Sequence, residues 1–504
     1  MAVRKKHNPP YLFYTVSGLS TGIFACFASY SHLPLEGGKD VLFYGVHFLS
    51  LWFGVMGFVY FLTLHRYLFY GIFLPLFFIA AMFSYWGYTL DVHPDPGIIK
   101  ILFETKPDIV AEMISLPFVL YVVLVSGVAV LLSVLYRRRT RVPFLSPYTW
   151  IALAGVMSFF VVEHYRCCTY SRRLPYNILY SVAGYLKQPE VKPVPPEGDI
   201  YSPVDSLNIV LVWGESVRAD HLPANGYPRN TFPRLSKRGN TVSFSRVFTP
   251  YTYTASSLPR ILSNASVRDT VVSEVVSIYS VLNRVGYETV WIGNQSPEKS
   301  YEPFIDENKV VRLIDRLHSS LSFRKAYDGE MLPVFDSLYR PGRKQCISLH
   351  TIGSHWYYEV RYPDSFRKFL PVVRSKHIGS ASPEQMINSY DNTLLYLDYF
   401  LDGLIERLSK DGTYSILLYL SDHGEILGED GKFLHARGHK AATNPAMLVW
   451  YSKAFAERFP GRVRHLKENR NRSYTTDLLY HSVLDLLQVR GLEYDKRQSI
   501  FSGG

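Results

Sequence analysis

The pattern of apolar and polar positions divides the chain into two unlike parts. From residue 11 to 165, apolar residues run in stretches long enough to cross a bilayer as helices: 11 to 30, then about 41 to 64, 67 to 89, 115 to 136 and 147 to 165. Any one of them would suit a buried core helix, but five in succession predict a membrane domain of five spanning helices. From about residue 206 the pattern changes to short runs of β-type residues, at 208 to 213, 242 to 247, 288 to 293, 345 to 350, 414 to 420 and 446 to 451. These alternate with helical spacing at 256 to 263, 275 to 286, 386 to 409 and 474 to 488. Such alternation predicts an α/β domain with a mostly parallel sheet sandwiched by helices. The bridge between the two parts, 166 to 205, is aromatic and basic at first (Tyr170, Arg172, Arg173, Tyr176, Tyr180) and proline-rich afterwards. Its first half reads as an amphipathic interfacial helix and its second as a stiff linker. The expected organisation is therefore a transmembrane domain at 1–165, a bridge at 166–205 and a soluble domain at 206–504, with no internal repeat.

Charge orients the first part. The net charge of +11 over 504 residues is spread along the chain, which serves solubility and topology and also allows attraction to anionic lipid. Arg4, Lys5 and Lys6, the His65-Arg66 turn, and Arg137, Arg138, Arg139 and Arg141 fall on one side of five alternating spans. By the positive-inside rule that side is cytoplasmic, and an odd number of spans puts everything after residue 166 outside, in a bacterium the periplasm. The first run exceeds a signal-peptide core and lacks a small-residue cleavage site, so it is expected to be retained. The outer loop at about 90 to 114 carries Asp91, His93, Asp95, Glu104, Asp108 and Glu112 and reads equally as a lid, a lipid contact or an inert connector. The four cysteines, Cys26, Cys167, Cys168 and Cys346, make no disulfide framework. Cys26 reads as a packed small hydrophobe, and a bond from Cys167 or Cys168 to Cys346 stays open. Asn264-Ala-Ser266 matches a glycosylation tripeptide that carries no meaning in a bacterium.

The candidate chemistry sits where apolar runs stop. The run from Asn208 ends in Gly214-Glu215, and the run from Tyr414 ends in Asp422-His423-Gly424-Glu425. Buried parallel strands that end this way deliver their polar residues to the carboxyl edge of the sheet, where open α/β sheets place ligands. Two carboxylates and an imidazole at that edge suit a divalent metal, zinc by donor type, with Thr254 as a fourth ligand. Thr254 also precedes Ala-Ser-Ser-Leu-Pro259 and an apolar run, so alone it reads as a helix cap. Beside a metal held by Glu215, Asp422 and His423 it reads as a nucleophile, because coordination lowers the hydroxyl pKa and polarises a phosphoryl oxygen. His350, His355, His435 and His439 flank strands that end near the same edge, and an imidazole there can donate to phosphate oxygens or protonate a leaving group. Of these, His355 and His435 are favoured, and Glu425 is grouped with them.

Several motifs carry a family resemblance: Gly214-Glu215-Ser-Val-Arg218-Ala-Asp220, Asn225-Gly-Tyr-Pro-Arg229-Asn-Thr-Phe-Pro233, Thr252-Tyr-Thr254-Ala-Ser-Ser-Leu-Pro259, Asn294-Gln-Ser-Pro-Glu-Lys299, Gly353-Ser-His355, Tyr390-Asp391-Asn392 and Ser421-Asp-His-Gly-Glu425 with Leu427-Gly-Glu429 and Leu434-His435. Over its whole length the chain resembles the membrane-bound phosphoethanolamine transferases of Gram-negative bacteria, lipid A modifying enzymes of the alkaline phosphatase and sulfatase superfamily. The resemblance implies that Glu215, Thr254, Asp422 and His423 bind zinc, one ion tightly with a second left open, and that Thr254 becomes phosphoethanolamine-modified. It implies a pocket of Thr252, Asn294, Lys299, His355 and His435. Gln295 stands where many members have a second asparagine, and His350 joins the pocket from the reading of the strand ends. In the outer loop the family's lipid-contacting Asn-x-x-x-Thr-x-x-x-Glu pattern keeps Thr105 but has Ile101 and Ile109 at its flanks, with Asp108 or Glu112 to replace the acid. Close relatives carry a disulfide around the nucleophile where this chain has Pro250 and Arg260, so packing is expected to brace that helix. Ser354-His355-Trp-Tyr-Tyr358 departs from the Asn-His-Gly-Pro of several members and points to a more distant branch.

The activity implied is transfer of phosphoethanolamine from phosphatidylethanolamine to lipid A through a phosphothreonine-type intermediate, conferring resistance to polymyxin and cationic peptides. The implied setting is a monomer in the bacterial inner membrane with its catalytic domain in the periplasm and no nucleic-acid partner. The rival readings keep the fold with another acceptor (a core sugar, glycan or protein) or a glycerol-phosphate donor, or make the chain an idle lipopolysaccharide-binding scaffold. A sulfatase is disfavoured because Thr254-Ala-Ser does not match the Cys/Ser-x-Pro-x-Arg motif.

Overall fold

In the computed structural model, which describes residues 10–33, 35, 37–104, 114–139, 146–166, 170–295, 297–314, 326–435 and 439–503, the apolar N-terminal runs form helices. The chain makes two compact units, one of residues 1–103 with 114–187 and one of 104–113 with 188–504. In the first, Pro10–Tyr30, Gly38–Thr63, Arg66–Leu90 and Leu116–Arg138 are long and apolar enough to cross a membrane. Ser115 caps the last of these by accepting from the Phe118 N–H, and Arg137 and Arg138 occupy its final turn, where cations suit the negative end of the helix dipole. The expected fifth span forms as the helix Pro147–Arg166, but among the described residues four helices, not five, are apolar enough to span. The reason lies at its ends: Tyr148, Thr149 and Trp150 open it, and Glu163, His164 and Arg166 close it. It packs closely on Gly38–Thr63, since a Cβ on Gly57 would lie 2.5 Å from the Ala152 carbonyl and one on Gly155 2.6 Å from the Phe53 carbonyl. The interfacial helix forms as Tyr176–Leu186 and buries Asn177, Ile178 and Ser181.

The second unit is built on a sheet of seven strands among the described residues: β1 (Asn208–Gly214), β2 (Thr241–Phe244), β3 (Glu288–Gly293), β4 (Val310–Leu313), β5 (Gln345–His350), β6 (Ser415–Ser421) and β7 (Met447–Tyr451). They lie in the order β2-β7-β6-β1-β5-β3-β4. Every residue of β1, β5 and β6 is buried, as expected for strands covered on both faces. β6, β1, β5, β3 and β4 pair in parallel, whereas β7 is antiparallel to both β6 and β2. The sheet is therefore mixed: six of its seven strands run one way, as a mostly parallel sheet requires, and β7 alone runs against them. Among the described residues between β6 and β7 no α-helix carries the chain back across a face, and a strand re-entering the sheet from the edge that the chain has just left must run antiparallel.

Ile209, Leu211 and Trp213 pack into one core with Leu258, Ile278, Val449 and Leu478. The long helix Pro383–Lys410 starts in a capping box of Ser382 and Gln385 and buries Met386, Tyr390, Leu394, Leu397, Leu401 and Leu408 at helical spacing. In the proline-rich stretch, Lys192 and Pro193 pair in parallel with Glu274 and Val275. Cys26 and Cys346 are buried free thiols. Thr105, Asp108, Ile109, Glu112, Cys167 and Cys168 lie outside the described residues.

Candidate metal centre

The register Gly214↔Ser421 sets the ends of β1 and β6 side by side, so Glu215 and Asp422 leave the sheet as neighbours. The turn at Glu215 is forced: Ser216 has φ +60°, and its carbonyl accepts from the Tyr390 hydroxyl at 2.8 Å while that hydroxyl accepts from the Arg218 N–H at 2.9 Å. The Glu215 carbonyl accepts from the Ser354 N–H at 3.1 Å. This approach needs Gly353, whose φ is +48° and whose Cβ, if present, would lie 2.9 Å from the Glu215 carbonyl. Thr254 opens the helix Thr254–Ile261 after an extended Tyr253, which sets its hydroxyl at the positive end of the helix dipole.

Four side chains converge there. The Thr254 hydroxyl lies 2.7 Å from Asp422 Oδ2 and 3.0 Å from Glu215 Oε2. Glu215 Oε1 accepts from the Ser216 hydroxyl at 2.7 Å, and Asp422 Oδ1 accepts from the His423 N–H at 2.8 Å and the Ser216 N–H at 3.2 Å. His423 Nδ1 lies 2.8 Å from the Gly424 carbonyl. A proton on Nδ1 satisfies that carbonyl and leaves the Nε2 lone pair facing Glu215 Oε1 and Asp422 Oδ2, each 3.4 Å away. This Nε2 is buried without a hydrogen-bond partner. Ligand atoms of Glu215, His423 and His435 lie within 4.8 Å of one another.

Charge explains what the cluster requires. Burial, and then the neighbouring Glu215, push the Asp422 carboxyl well above the usual carboxylate range. Burial acts the same way on Glu215, but the imidazoles of His423, His355 and His435 and the Ser216 hydroxyl hold it down at about 2. Burial and the charge of His435 push His423 down to about 4, into the neutral form that ligates metals. Two adjoining carboxyls with unequal proton affinity need a positive charge between them, and a divalent cation supplies it where a proton otherwise must. The orphaned Nε2 and the two carboxylate oxygens fit such an ion.

Around this core, His435 Nδ1 lies 3.1 Å from Glu425 Oε2. Its ring stands 4.5 Å from that of His423 and 5.8 Å from that of His355. Burial works against the charged form of His435, yet Glu425, then Glu215 and Asp422, raise it to about 9. His355 is held from behind by the buried Arg361, which donates to the carbonyls of His355 at 2.9 Å and Trp356 at 2.7 Å. Gln295 donates to the Thr351 carbonyl at 2.7 Å and reaches Glu215 Oε2 at 3.3 Å. Thr252 is buried, two residues before Thr254. Asn294 turns elsewhere, donating to the Ala326 carbonyl and Asp328 Oδ1, both at 2.9 Å. Lys299 is exposed. His350 is buried against Trp291 and Tyr301, ring centroids 5.5 and 5.6 Å away, and burial lowers it to about 4.

Supporting residues to which the sequence assigned no role complete the site. Arg218 pairs with Asp220 at 2.7 Å and with Glu429, and donates to the Glu425 carbonyl at 3.2 Å, clamping the two motif loops together. Asp328 accepts from the N–H groups of Ile352 at 2.9 Å and Gly353 at 3.0 Å and so fixes the loop that crosses Glu215. Arg218 has a sequence signal in the spacing Glu-x-x-Arg-x-Asp; Asp328, in a segment without pattern, has none.

Arg260 provides the bracing expected of packing. Its guanidinium lies 3.9 Å from the Tyr251 ring centroid and donates to the carbonyls of Ser256 at 2.8 Å and Asp269 at 2.6 Å. Tyr251 donates to the same Asp269 carbonyl at 3.0 Å, so the segment before Thr254 and the helix after it are tied to one point. Arg260→Ala is expected to cost about 2 kcal/mol through the lost ring contact and unmade hydrogen bonds. Thermal unfolding of the full-length protein in detergent checks this, and an unchanged midpoint rejects the brace.

A family model described as Sulfatase matches residues 207–489, and one described as Phosphoethanolamine transferase EptA/EptB matches 52–189. The chain is 32% identical over 305 residues to phosphoethanolamine transferase EptA of Escherichia coli K12, covering 58% of this chain and 55% of that protein. The aligned stretch thus spans about half of that relative's length. The structure aligns with the integral membrane lipooligosaccharide phosphoethanolamine transferase A of Neisseria meningitidis over 98% of both chains, with a TM-score of 0.84 and 24% identity, so the fold is shared from end to end. The zinc complex of the C-terminal periplasmic domain of EptC from Escherichia coli covers 61% of this chain and 90% of that one, with a TM-score of 0.55 and 26% identity.

Proposed function

Since the chain belongs to the sulfatase family and sets the Thr254 hydroxyl between Glu215 and Asp422, we propose that it transfers phosphoethanolamine from phosphatidylethanolamine to lipid A. One observation carries the reading: the Thr254 Oγ1 lies 2.7 Å from Asp422 Oδ2 in the space that the unpartnered His423 Nε2 faces. The names of the similar proteins support the donor group, and the bound zinc of the EptC domain supports zinc in the site. Glu215, Thr254, Asp422 and His423 would hold the ion. When bound, zinc lowers the pKa of the Thr254 hydroxyl and draws charge from the phosphoryl oxygens.

In the first step Thr254 gives its proton to Asp422 and its oxygen forms a bond to phosphorus. The bond from phosphorus to the glyceryl oxygen breaks, and diacylglycerol leaves with a proton donated by His435, which Glu425 orients. In the second step an oxygen of the lipid A phosphate or sugar attacks the same phosphorus and gives its proton to His435, while the bond from phosphorus to the Thr254 oxygen breaks and that oxygen takes back the proton held by Asp422. Use of one site in turn by donor and acceptor explains a covalent relay. Thr252, Gln295 and His355 would line the space for the phosphoethanolamine group and Lys299 and Thr105 would complete the substrate-binding set, whereas Asn294, turned to Ala326 and Asp328, and His350, buried against Trp291 and Tyr301, would support it from behind. The chain would act as a monomer in the inner membrane with the catalytic unit in the periplasm, and modification of lipid A would confer polymyxin resistance.

Peptide mass spectrometry of the full-length protein incubated with phosphatidylethanolamine tests this. A phosphoethanolamine adduct on the peptide containing Thr254 is expected. Zinc-loaded protein that forms no adduct from this donor would remove phosphatidylethanolamine from the reading.

A further inference from the structure

Within the first compact unit, the helices Pro10–Tyr30, Gly38–Thr63, Arg66–Leu90, Pro147–Arg166 and Tyr176–Leu186 line a cavity of about 550 Å³. Small residues leave the space (Ala25, Ala80, Ala183) and aromatic rings wall it (Phe58, Phe77, Phe159). Three further lining residues, Thr21, Tyr176 and Tyr180, carry hydroxyls. Thr21, 4% exposed, and Tyr176 each present a buried hydroxyl oxygen that makes no hydrogen bond.

Three occupants can be compared. An empty space of this size would forfeit the dispersion contacts of every ring around it, against the close packing of protein interiors. Water needs two to four polar partners for each molecule, and three hydroxyls cannot hold a filling of water in an apolar wall. Hydrocarbon satisfies the wall, and an ester attached to it brings the acceptor that an unpartnered hydroxyl lacks. We propose that this cavity is a binding site for one acyl chain of a diacyl phospholipid, with the ester carbonyl accepting from the Tyr176 hydroxyl. Tyr176 begins the amphipathic helix, whose Leu179, Tyr180 and Ala183 also line the cavity, and such a helix lies at the depth where acyl chains meet their esters. The proposal does not depend on the transferase reading.

The test uses the full-length protein in nanodiscs containing a phosphatidylethanolamine with a photoreactive group on its acyl chain. Cross-links are expected on the peptides containing Phe58, Phe77 and Tyr180. Ala80→Trp, which fills the cavity, should lower their yield by about fivefold or more, the scale on which a contact worth 1 kcal/mol reads. Leu19→Trp, at a position 57% exposed and outside the cavity lining, should leave it unchanged. Equal labelling of wild type and Ala80→Trp, or labelling spread evenly around the bundle, means an annular lipid only and overturns the site. Tyr176→Phe guards against a misfolded Ala80→Trp, since it should weaken phospholipid retention in native mass spectrometry. A free fatty acid probe labelling the same peptides as well as the phospholipid does would overturn the ester contact.

Discussion

Thr254→Ala is expected to abolish transfer, lowering headgroup release from phosphatidylethanolamine by at least about a thousandfold while the protein stays folded. The hydroxyl has two oxygen neighbours, Asp422 Oδ2 at 2.7 Å and Glu215 Oε2 at 3.0 Å, which hold it between the two proposed ligands. Alanine removes the only proposed nucleophile and leaves the helix Thr254–Ile261 intact, because that helix has no side-chain cap to lose. Thr254→Ser should retain part of the activity, since the hydroxyl survives with a freer rotamer. A Thr254→Ala protein that turns over within tenfold of wild type would show that water, not Thr254, attacks phosphorus, and the chain would then be a hydrolase.

Asp422→Asn separates the metal's role from that of the fold by the sign of its effect. In zinc-loaded protein it removes a charged ligand and should lower zinc content and the unfolding midpoint together. In protein stripped by a chelator the same change should raise the midpoint, by the equivalent of about 1 to 2 kcal/mol. There it removes a buried carboxyl whose ionisation burial and Glu215 already oppose. Zinc content by elemental analysis and thermal unfolding with and without chelator check both halves. A variant that loses stability equally in the two states would mean that Asp422 is a hydrogen-bonding support and that the ion, if bound, sits elsewhere.

Glu215, Asp422 and His423 are legible in one dimension because a buried strand needs an unbroken apolar run, and a carboxylate at its end breaks the run visibly. Thr254 is legible for a related reason, as the polar start of a helix. The fifth apolar run was legible as a helix, but its polar ends set it apart from the four helices that are apolar enough to span. The direction of β7 was not legible at all: its residues suit either orientation, and only the path of residues 422 to 446 decides it.

Local chemistry along the chain therefore determined the two-part architecture, the strand ends and the donor types at the site, because each is a property of short segments read against period and burial. Tertiary structure alone decided which distant groups support them. Asp328 reaches the Gly353 loop, Arg218 reaches Glu429, and Arg260 sits on the Tyr251 ring. These contacts join residues brought together by the sheet order, and a buried charge or N–H group leaves no periodic trace in sequence; its partner is set by which strand ends are neighbours in space.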